Sequence, residues 1–268
     1  FPPLYNNQIP PGAGSVVHYQ FKVPEDQQAA LRVSVRLNYR KFDTSYMQYV
    51  YGEDYVNDLP VSLLAEDVVH FPVAGSKAPE PDSTAAITPS AFPAWQRWND
   101  YGIGLLLKGS AGSDKGELKQ ASEAFAEVES LGRPEGPVNK ARVFFKEGRV
   151  DDAARALQRA AGFTTPAPRW TMAWFTGRVH AQNGELDKAI QNYKSILEDR
   201  YPELDERGFD FSKDYVVINE LGQTYYLRSK LERGQPEREK QFLDLAIEQF
   251  NRTLELDSEN QTAHYNLS

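Results

Sequence analysis

Apolar and polar residues alternate in two stretches near the start of the chain. In VVHYQFKV (16–23) every second residue from Val17 to Val23 is apolar, and LRVSVRLNYRKF (31–42) has the same pattern from Leu31 to Tyr39. A period of two is typical of strands with one buried and one solvent-facing side. We predict that these two strands pair antiparallel through the connection PEDQQAA (24–30).

The segment LPVSLLAEDVVHFPV (59–73) predicts two further short strands, one on either side of Glu66 and Asp67. The aromatic stretch TSYMQYVYG (44–52) between the strands is ambiguous. We therefore predict that residues 1–75 form a small all-β, sandwich-like module, which strands before Phe1 would complete.

The pattern changes after this module. Residues 76–94 are rich in Pro, Ala and Ser, a composition typical of an exposed linker. From residue 95 to residue 268 the apolar positions follow a helical period.

This helical part contains an internal repeat. In GELKQASEAFAEV (116–128), GRVDDAARALQRA (148–160) and GELDKAIQNYKSI (184–196), Ala follows Gly after five residues and a large apolar residue comes four residues later. Gly148 and Gly184 are 36 residues apart, and LAIEQFNRTLELDSEN (245–260) keeps the last part of the pattern. A period near this length is typical of helical repeats that stack on their neighbours.

The repeated pattern resembles the tetratricopeptide repeat, a helix-turn-helix unit of about 34 residues. The segment INELGQTYY (218–226) matches the first helix of that unit through Leu221, Gly222 and Tyr225. The resemblance covers residues 95–268 and implies a mainly α chain with a solenoid of about four repeats and a truncated fifth that begins at Gln261. We expect small residues to let the two helices of each repeat cross closely, and the array to continue beyond Ser268.

Three insertions depart from the repeat length. They lie between Gly102 and Gly116, at LERGQPEREK (231–240) and at EDRYPELDERGFDFSKD (198–214). Such insertions are either solvated helix extensions or loops on a functional face. The acidic residues of the third insertion could bind a cation, but they lack EF-hand spacing, which favours a solvated loop.

The resemblance also implies a groove lined by the first helix of each repeat. Repeat phase places Val138 and Thr171 on that face, together with the residues we predict to bind a partner: Arg142, Phe145, Trp174, Arg178, Asn219, Gln223 and Tyr226. Arg142 and Arg178 occupy equivalent positions, so they could hold a carboxylate flanked by apolar groups. In the alternative, the arginines pair with local acids and the aromatic residues pack internally. The Lys/Asn pair with which some relatives bind C-terminal carboxylates is not recognisable, since Asn99 and Asn219 are isolated.

Composition argues against several classes of function. The net charge of −8 is spread along the chain, so no basic stripe is available for nucleic acid. The absence of Cys removes disulfides, thiolate zinc sites and covalent haem attachment, and the apolar runs are too short to span a membrane. The four His residues have no metal-binding spacing, and no nucleotide-binding or nucleophile motif occurs. We therefore predict no catalytic residue, no metal site and no cofactor in this chain.

A second, looser resemblance concerns the order of several segments: LNYRKFD (37–43), PAWQRWNDYGIGLLL (93–107), LGRPEGPVNKARVF (131–144) and WTMAWFTGRVHAQNGELDKAI (170–190). This order is similar to the C-terminal part of bacterial multihaem c-type cytochromes that carry tetratricopeptide repeats. The resemblance implies an exported, periplasmic protein whose haem-binding part lies upstream, with a sister haem domain as partner. A cytoplasmic location stays open, as does the question of whether a His ligates a haem held elsewhere.

The sequence thus supports two functions. The first is a non-catalytic scaffold that binds a protein or peptide partner in a groove of tetratricopeptide repeats. The alternative is an accessory or docking region of a multihaem electron-transfer protein. Several C-x-x-C-H motifs upstream would establish the second.

Overall fold

The computed structural model describes residue 9 and residues 14–27, 29–71, 92–109 and 115–268, which are mainly helical. The described residues fall into two compact units. One contains the described residues from 18 to 71, and the other contains residues 14–17 together with those from 92 onward. Of the predicted linker at 76–94, residues 76–91 lie outside the described residues.

The first unit contains a two-stranded antiparallel sheet. Strand β1 spans Leu31–Tyr39 and pairs with β2, Ser62–Phe71, with Leu31 opposite Phe71 and a bulge between Leu37 and Asn38. The predicted strand at 31–39 is confirmed. The two short strands expected around Glu66 form one continuous strand instead. Glu66 lies opposite Arg36 in the ladder, and Arg36 Nε lies 2.9 Å from Glu66 Oε1, so the acidic residue is paired across the sheet rather than placed in a turn.

Residues 17–23, predicted as a strand, have no regular structure. Alternation alone does not make a strand without a pairing partner, and β1 pairs with β2 rather than with this segment. Val16, at its start, packs instead on the helical cluster around Leu105 and Phe125. In the described part of the chain the sheet is therefore a two-stranded ribbon, narrower than the sandwich-like module expected from the sequence.

The ambiguous aromatic stretch is a helix, α1, spanning Thr44–Tyr51. Asp43 caps its start, since Asp43 Oδ1 accepts a hydrogen bond of 2.7 Å from the backbone N–H of Tyr46. Gly52 ends it at φ 106°, a conformation that favours glycine. These local signals outweigh the strand preference of the aromatic side chains.

The second unit is a TPR-like array of helices, as predicted. Four antiparallel pairs are followed by a single helix, with bounds α2 Ala94–Gly109 and α3 Lys115–Ser130, α4 Glu135–Lys146 and α5 Val150–Ala161, α6 Arg169–Gln182 and α7 Leu186–Glu198, α9 Tyr215–Leu231 and α10 Pro236–Leu256, and finally α11 Gln261–Leu267. The second helix of each pair contacts the helix that begins the next pair, and α10 contacts the single helix α11.

In three of the four pairs a glycine of the first helix lies against an aromatic ring of the second. A Cβ at Gly102, Gly177 or Gly222 would lie 2.5–2.8 Å from a ring carbon of Phe125, Tyr193 or Phe250 respectively. Each of these rings lies on the second helix of the same pair and is almost completely buried. The small residue and the facing aromatic ring thus set the crossing, as the repeat pattern predicts.

The insertions differ in structure. The residues at 231–240 mostly lengthen α9 and α10, which is the helix-extension alternative. The residues at 198–214, which we call the acidic insertion, form a short helix α8 (Pro202–Asp205) and a 3-10 turn (Phe211–Lys213). Tyr201 and Leu204 of this insertion are buried and anchor it, while most of its acidic side chains are exposed, as expected for a solvated loop. The insertion before Gly116 lies largely outside the described residues.

Replacing Gly102 with Ala should lower the free energy of unfolding. The added methyl would overlap three atoms of the Phe125 ring, and such overpacking costs about 1–3 kcal/mol. Urea unfolding followed by circular dichroism measures the change.

Gly116→Ala is the matched control, because nothing lies within 4 Å of the new methyl and the position is helical. This variant should be as stable as the wild type or more stable, by up to about 1 kcal/mol. Equal effects at the two glycines would contradict the proposed role of the close crossing.

Candidate partner-binding groove

The first helices of the first three pairs are neighbours, which is the arrangement a groove requires. Helix α2 contacts α4, and α4 contacts α6. Of the predicted partner-binding residues, Arg142 and Phe145 lie on α4, Trp174 and Arg178 on α6, and the remaining three on α9.

Three basic side chains from α4 and α6 lie close enough to affect one another. We call Arg142, Lys146 and Arg178 the cationic cluster. Burial lowers the pKa of Lys146, and the charges of Arg142 and Arg178 lower it further. Burial also lowers the pKa of the Arg142 guanidinium. Both shifts have the direction expected for cations that have lost water without gaining an anion.

Arg142 is held in place by a chain of amides. Its Nη1 donates to Asn139 Oδ1 at 2.9 Å, and Asn139 Nδ2 donates to Asn99 Oδ1 at 2.8 Å. Asn99 is on α2, so this chain joins the first helices of two successive repeats. Asn99, which looked isolated in the sequence, therefore has a partner on the next first helix. Asn139 positions the guanidinium without neutralising its charge.

Arg178 lies between two aromatic side chains. Its Cζ is 5.2 Å from the ring centroid of Phe145 and 5.8 Å from that of Trp174. Both distances are in the range of cation–π contacts. The structure thus brings Phe145, Trp174 and Arg178 together, as predicted. The same aromatic residues also pack internally, since Trp174 contacts Tyr193 and Phe145 contacts Phe175.

The cationic cluster has no ion-pair partner among the described residues. The other basic side chains of α4 differ in this respect, since Lys140 pairs with Glu129 on α3. The half-buried Glu220 of α9 feels the charge of Arg178, which lowers its pKa, but the larger effect of burial leaves that pKa raised. In the part of the chain that the structure describes, no carboxylate comes within salt-bridge distance of the cluster. The alternative in which these arginines pair with local acids does not hold.

The other groove positions separate into exposed and buried residues. Gln223 and Tyr226 are exposed, and Tyr226 lies 4.1 Å from the ammonium of Lys230. Asn219 is buried and its Nδ2 donates to Asn260 Oδ1 at 3.1 Å, which joins α9 to the start of α11. Val138 is buried in the core beside Ala160 and Ala167. Asn219 and Val138 therefore hold the array together instead of facing a partner.

An apolar pocket lies next to the cationic cluster, and we call it the Phe211 pocket. It has a volume of about 260 Å³. Its lining comes from α6, α7, the acidic insertion and the start of α9: Trp170, Thr171, Trp174, Phe175, Ile196, Phe211, Asp214, Val216 and Val217. The insertion contributes Phe211 and Asp214, and the Phe211 ring centroid is 5.8 Å from that of Trp170.

Sequence reasoning missed both Lys146 and the Phe211 pocket. Lys146 could have been found, because it follows Arg142 by four residues and therefore lies one helical turn further along the same face. Phe211 lies in an insertion with no counterpart in the repeat pattern, so its position depends on tertiary packing that the pattern does not encode.

The histidines have ordinary environments where the structure shows them. His180 Nδ1 is 2.5 Å from Glu185 Oε2, and His264 Nε2 is 2.9 Å from the carbonyl of Ser258. The described residues contain no cluster of three or more His, Cys, Asp or Glu side chains that could bind a metal. Among the helices in the described ranges, none is both long and apolar enough to cross a bilayer.

Comparison with known proteins supports the repeat assignment. Residues 138–204 match the model of the tetratricopeptide repeat family. The matched range runs from α4 into α8 and contains the whole cationic cluster. No curated protein matches the chain. The family match gives no support to the resemblance to multihaem cytochromes.

Replacing Lys146 with Gln should raise the free energy of unfolding by roughly a few tenths of a kcal/mol, because it removes repulsion from two nearby cations at a partly exposed position. Lys140→Gln is the matched control. Since Lys140 Nζ lies 3.8 Å from Glu129, this substitution should lower the free energy of unfolding by about 0.2–1 kcal/mol.

Urea unfolding at low salt and in 1 M NaCl measures both changes, which should shrink as salt screens the charges. A loss of stability in Lys146→Gln equal to that in Lys140→Gln would show that Lys146 has a favourable partner.

Proposed function

We propose that this chain is a non-catalytic scaffold that binds a protein partner through the first helices of its repeats. Tetratricopeptide repeats generally mediate protein–protein interaction, and the family match covers two of the helix pairs. The observation that carries the proposal for this chain is the cationic cluster, whose three charges have no carboxylate within salt-bridge distance in the described structure.

An unpaired cation that is partly removed from water is unfavourable, and an approaching carboxylate relieves that cost. Arg142 and Arg178 can each offer two parallel N–H groups to a carboxylate, which gives geometric selectivity as well as attraction. Lys146 adds a third positive charge on the same face. The cluster therefore suits a segment that carries one or more Asp or Glu side chains.

The surroundings of the cluster are suited to a peptide rather than to an isolated ion. Phe145 and Trp174 present aromatic surface beside Arg178, and aromatic and Arg side chains are the ones most often important in protein interfaces. Gln223 and Tyr226 on α9 are exposed and could extend the contact. We propose that a partner segment lies along α4, α6 and α9 with its acidic side chains at the cationic cluster.

The double variant Arg142→Gln/Arg178→Gln should lose binding to acidic peptides. A library of random displayed peptides selected on the wild-type chain should yield sequences rich in Asp and Glu. Fluorescence anisotropy of labelled members should then give a Kd at least tenfold weaker for the double variant, since buried or partly buried charge pairs are worth a factor of that order or more.

Arg155→Gln/Arg200→Gln is the matched control. It makes the same change in net charge at two exposed arginines that are paired with acids away from the cluster. This variant should keep the wild-type affinity. Equal loss in both double variants, or selection of peptides without acidic enrichment, would contradict the proposal.

A further inference from the structure

We propose that the Phe211 pocket receives a bulky apolar side chain of the same acidic segment, so that the partner is recognised by a carboxylate and an apolar anchor together. This inference rests on the proposed function and adds a second, chemically different subsite to it. The anchor is a Leu, Met or Phe type of side chain rather than a polar one.

The chemistry of the lining favours an apolar occupant. The walls are mainly aromatic and aliphatic: Trp170, Trp174, Phe175, Ile196 and Phe211. Asp214 is the ionisable residue of the lining, but its Oδ1 accepts hydrogen bonds from the backbone N–H groups of Val216 and Val217 at 3.0 and 3.3 Å. That carboxylate caps α9 and is not free to attract a cation into the pocket.

The pocket is built by contacts that hold its outer wall. The Phe211 ring packs against both Trp170 and Tyr201, with centroids 5.8 Å away in each case. The next residue, Ser212, accepts a hydrogen bond through its carbonyl from the guanidinium of Arg252 on α10. The acidic insertion therefore adds a fixed wall to the groove, and pre-formed apolar pockets of this kind are typical of anchor sites in interfaces.

Trp174 connects the pocket to the cationic cluster. The same indole lines the pocket and lies 5.8 Å from the Arg178 guanidinium. A carboxylate beside Arg178 and a side chain in the pocket are then separated by roughly the width of an indole, which an extended peptide covers in about two residues at 3.4 Å each. Charge complementarity with the cluster thus selects an acidic segment, and its neighbouring apolar residue is the one within reach of the pocket.

The test uses the full chain and a series of short, end-blocked, fluorescein-labelled peptides. Each peptide carries two adjacent Glu residues and, two residues away, Ala, Leu or Phe, with both chain orders synthesised. In the better order, the Leu and Phe peptides should bind about ten- to a hundredfold more tightly than the Ala peptide, as expected for burying one large apolar side chain. Peptides with Gln in place of Glu should bind weakly whatever the third residue is.

Two variants fill or open the pocket. Thr171→Phe places a ring inside it and should remove the preference for Leu over Ala. Phe211→Ala removes the outer wall and should also reduce that preference. Phe209→Ala is the matched control, because Phe209 is an exposed ring of the same insertion that is not part of the lining. It should keep the wild-type preference. Circular dichroism melting curves establish that each variant is folded.

The outcomes separate the two proposals. If all Glu peptides bind equally well and depend on Arg142 and Arg178, the pocket proposal is overturned and the proposed function stands. If the Leu preference survives in Thr171→Phe, the anchor lies elsewhere and the pocket proposal is again overturned. If Glu and Gln peptides bind alike, or no peptide binds at millimolar concentration, the carboxylate site fails and the pocket proposal falls with it.

Discussion

The architecture of the helical unit depends on one steric constraint, the close crossing of a glycine and an aromatic ring within three of its four helix pairs. At Gly102, Gly177 and Gly222 the facing ring occupies the space that a side chain would need. This constraint fixes how far apart the two helices of a repeat lie. Because the second helix of each pair then packs on the first helix of the next, the same constraint brings α2, α4 and α6 side by side. The candidate site exists because residues from different repeats, such as Phe145 and Arg178, become neighbours on that surface.

The features that suit the candidate site to binding also lower the stability of the folded chain. The charges of Arg142 and Arg178 act unfavourably on Lys146, the Arg142 guanidinium has lost part of its water, and an apolar pocket of about 260 Å³ forgoes packing contacts. Asn139 and Asn99 hold Arg142 in position without supplying a charge. A chain selected for stability alone would place a carboxylate beside the cluster, as it does beside Lys140 and Arg159 through Glu129. That contrast within α4, where Lys140 is paired and Arg142 and Lys146 are not, is the physical reason for assigning the cluster to binding.

Sequence reasoning succeeded where a pattern has a steric cause that is local to the repeat. The positions of the small residues and of the facing rings followed from the 36-residue spacing, and so did the meeting of Phe145, Trp174 and Arg178. It failed where the structure of a segment depends on which other segment it contacts. Apolar and polar residues alternate in 17–23 as regularly as in β1. However, β1 pairs with β2, and Val16 packs on the helices. Phe211 could not be placed, because nothing in an insertion without repeats indicates which groove residue its ring will contact.

The sign of the cluster is opposite to the sign of the whole chain, and this affects how a partner would be selected. With a net charge of −8, the chain as a whole does not attract an acidic segment, and salt largely screens charges that lie further apart than the Debye length, about 8 Å at physiological salt. Attraction begins only when the segment is close to the first helices of repeats two and three. Such an arrangement gives little long-range steering of acidic molecules in general. Discrimination then depends on short-range fit, a carboxylate at Arg142 and Arg178 and an apolar side chain beyond Trp174. A surface that is cationic overall would bind many anions, whereas a small cationic site on an acidic protein favours the segments that satisfy both subsites at once.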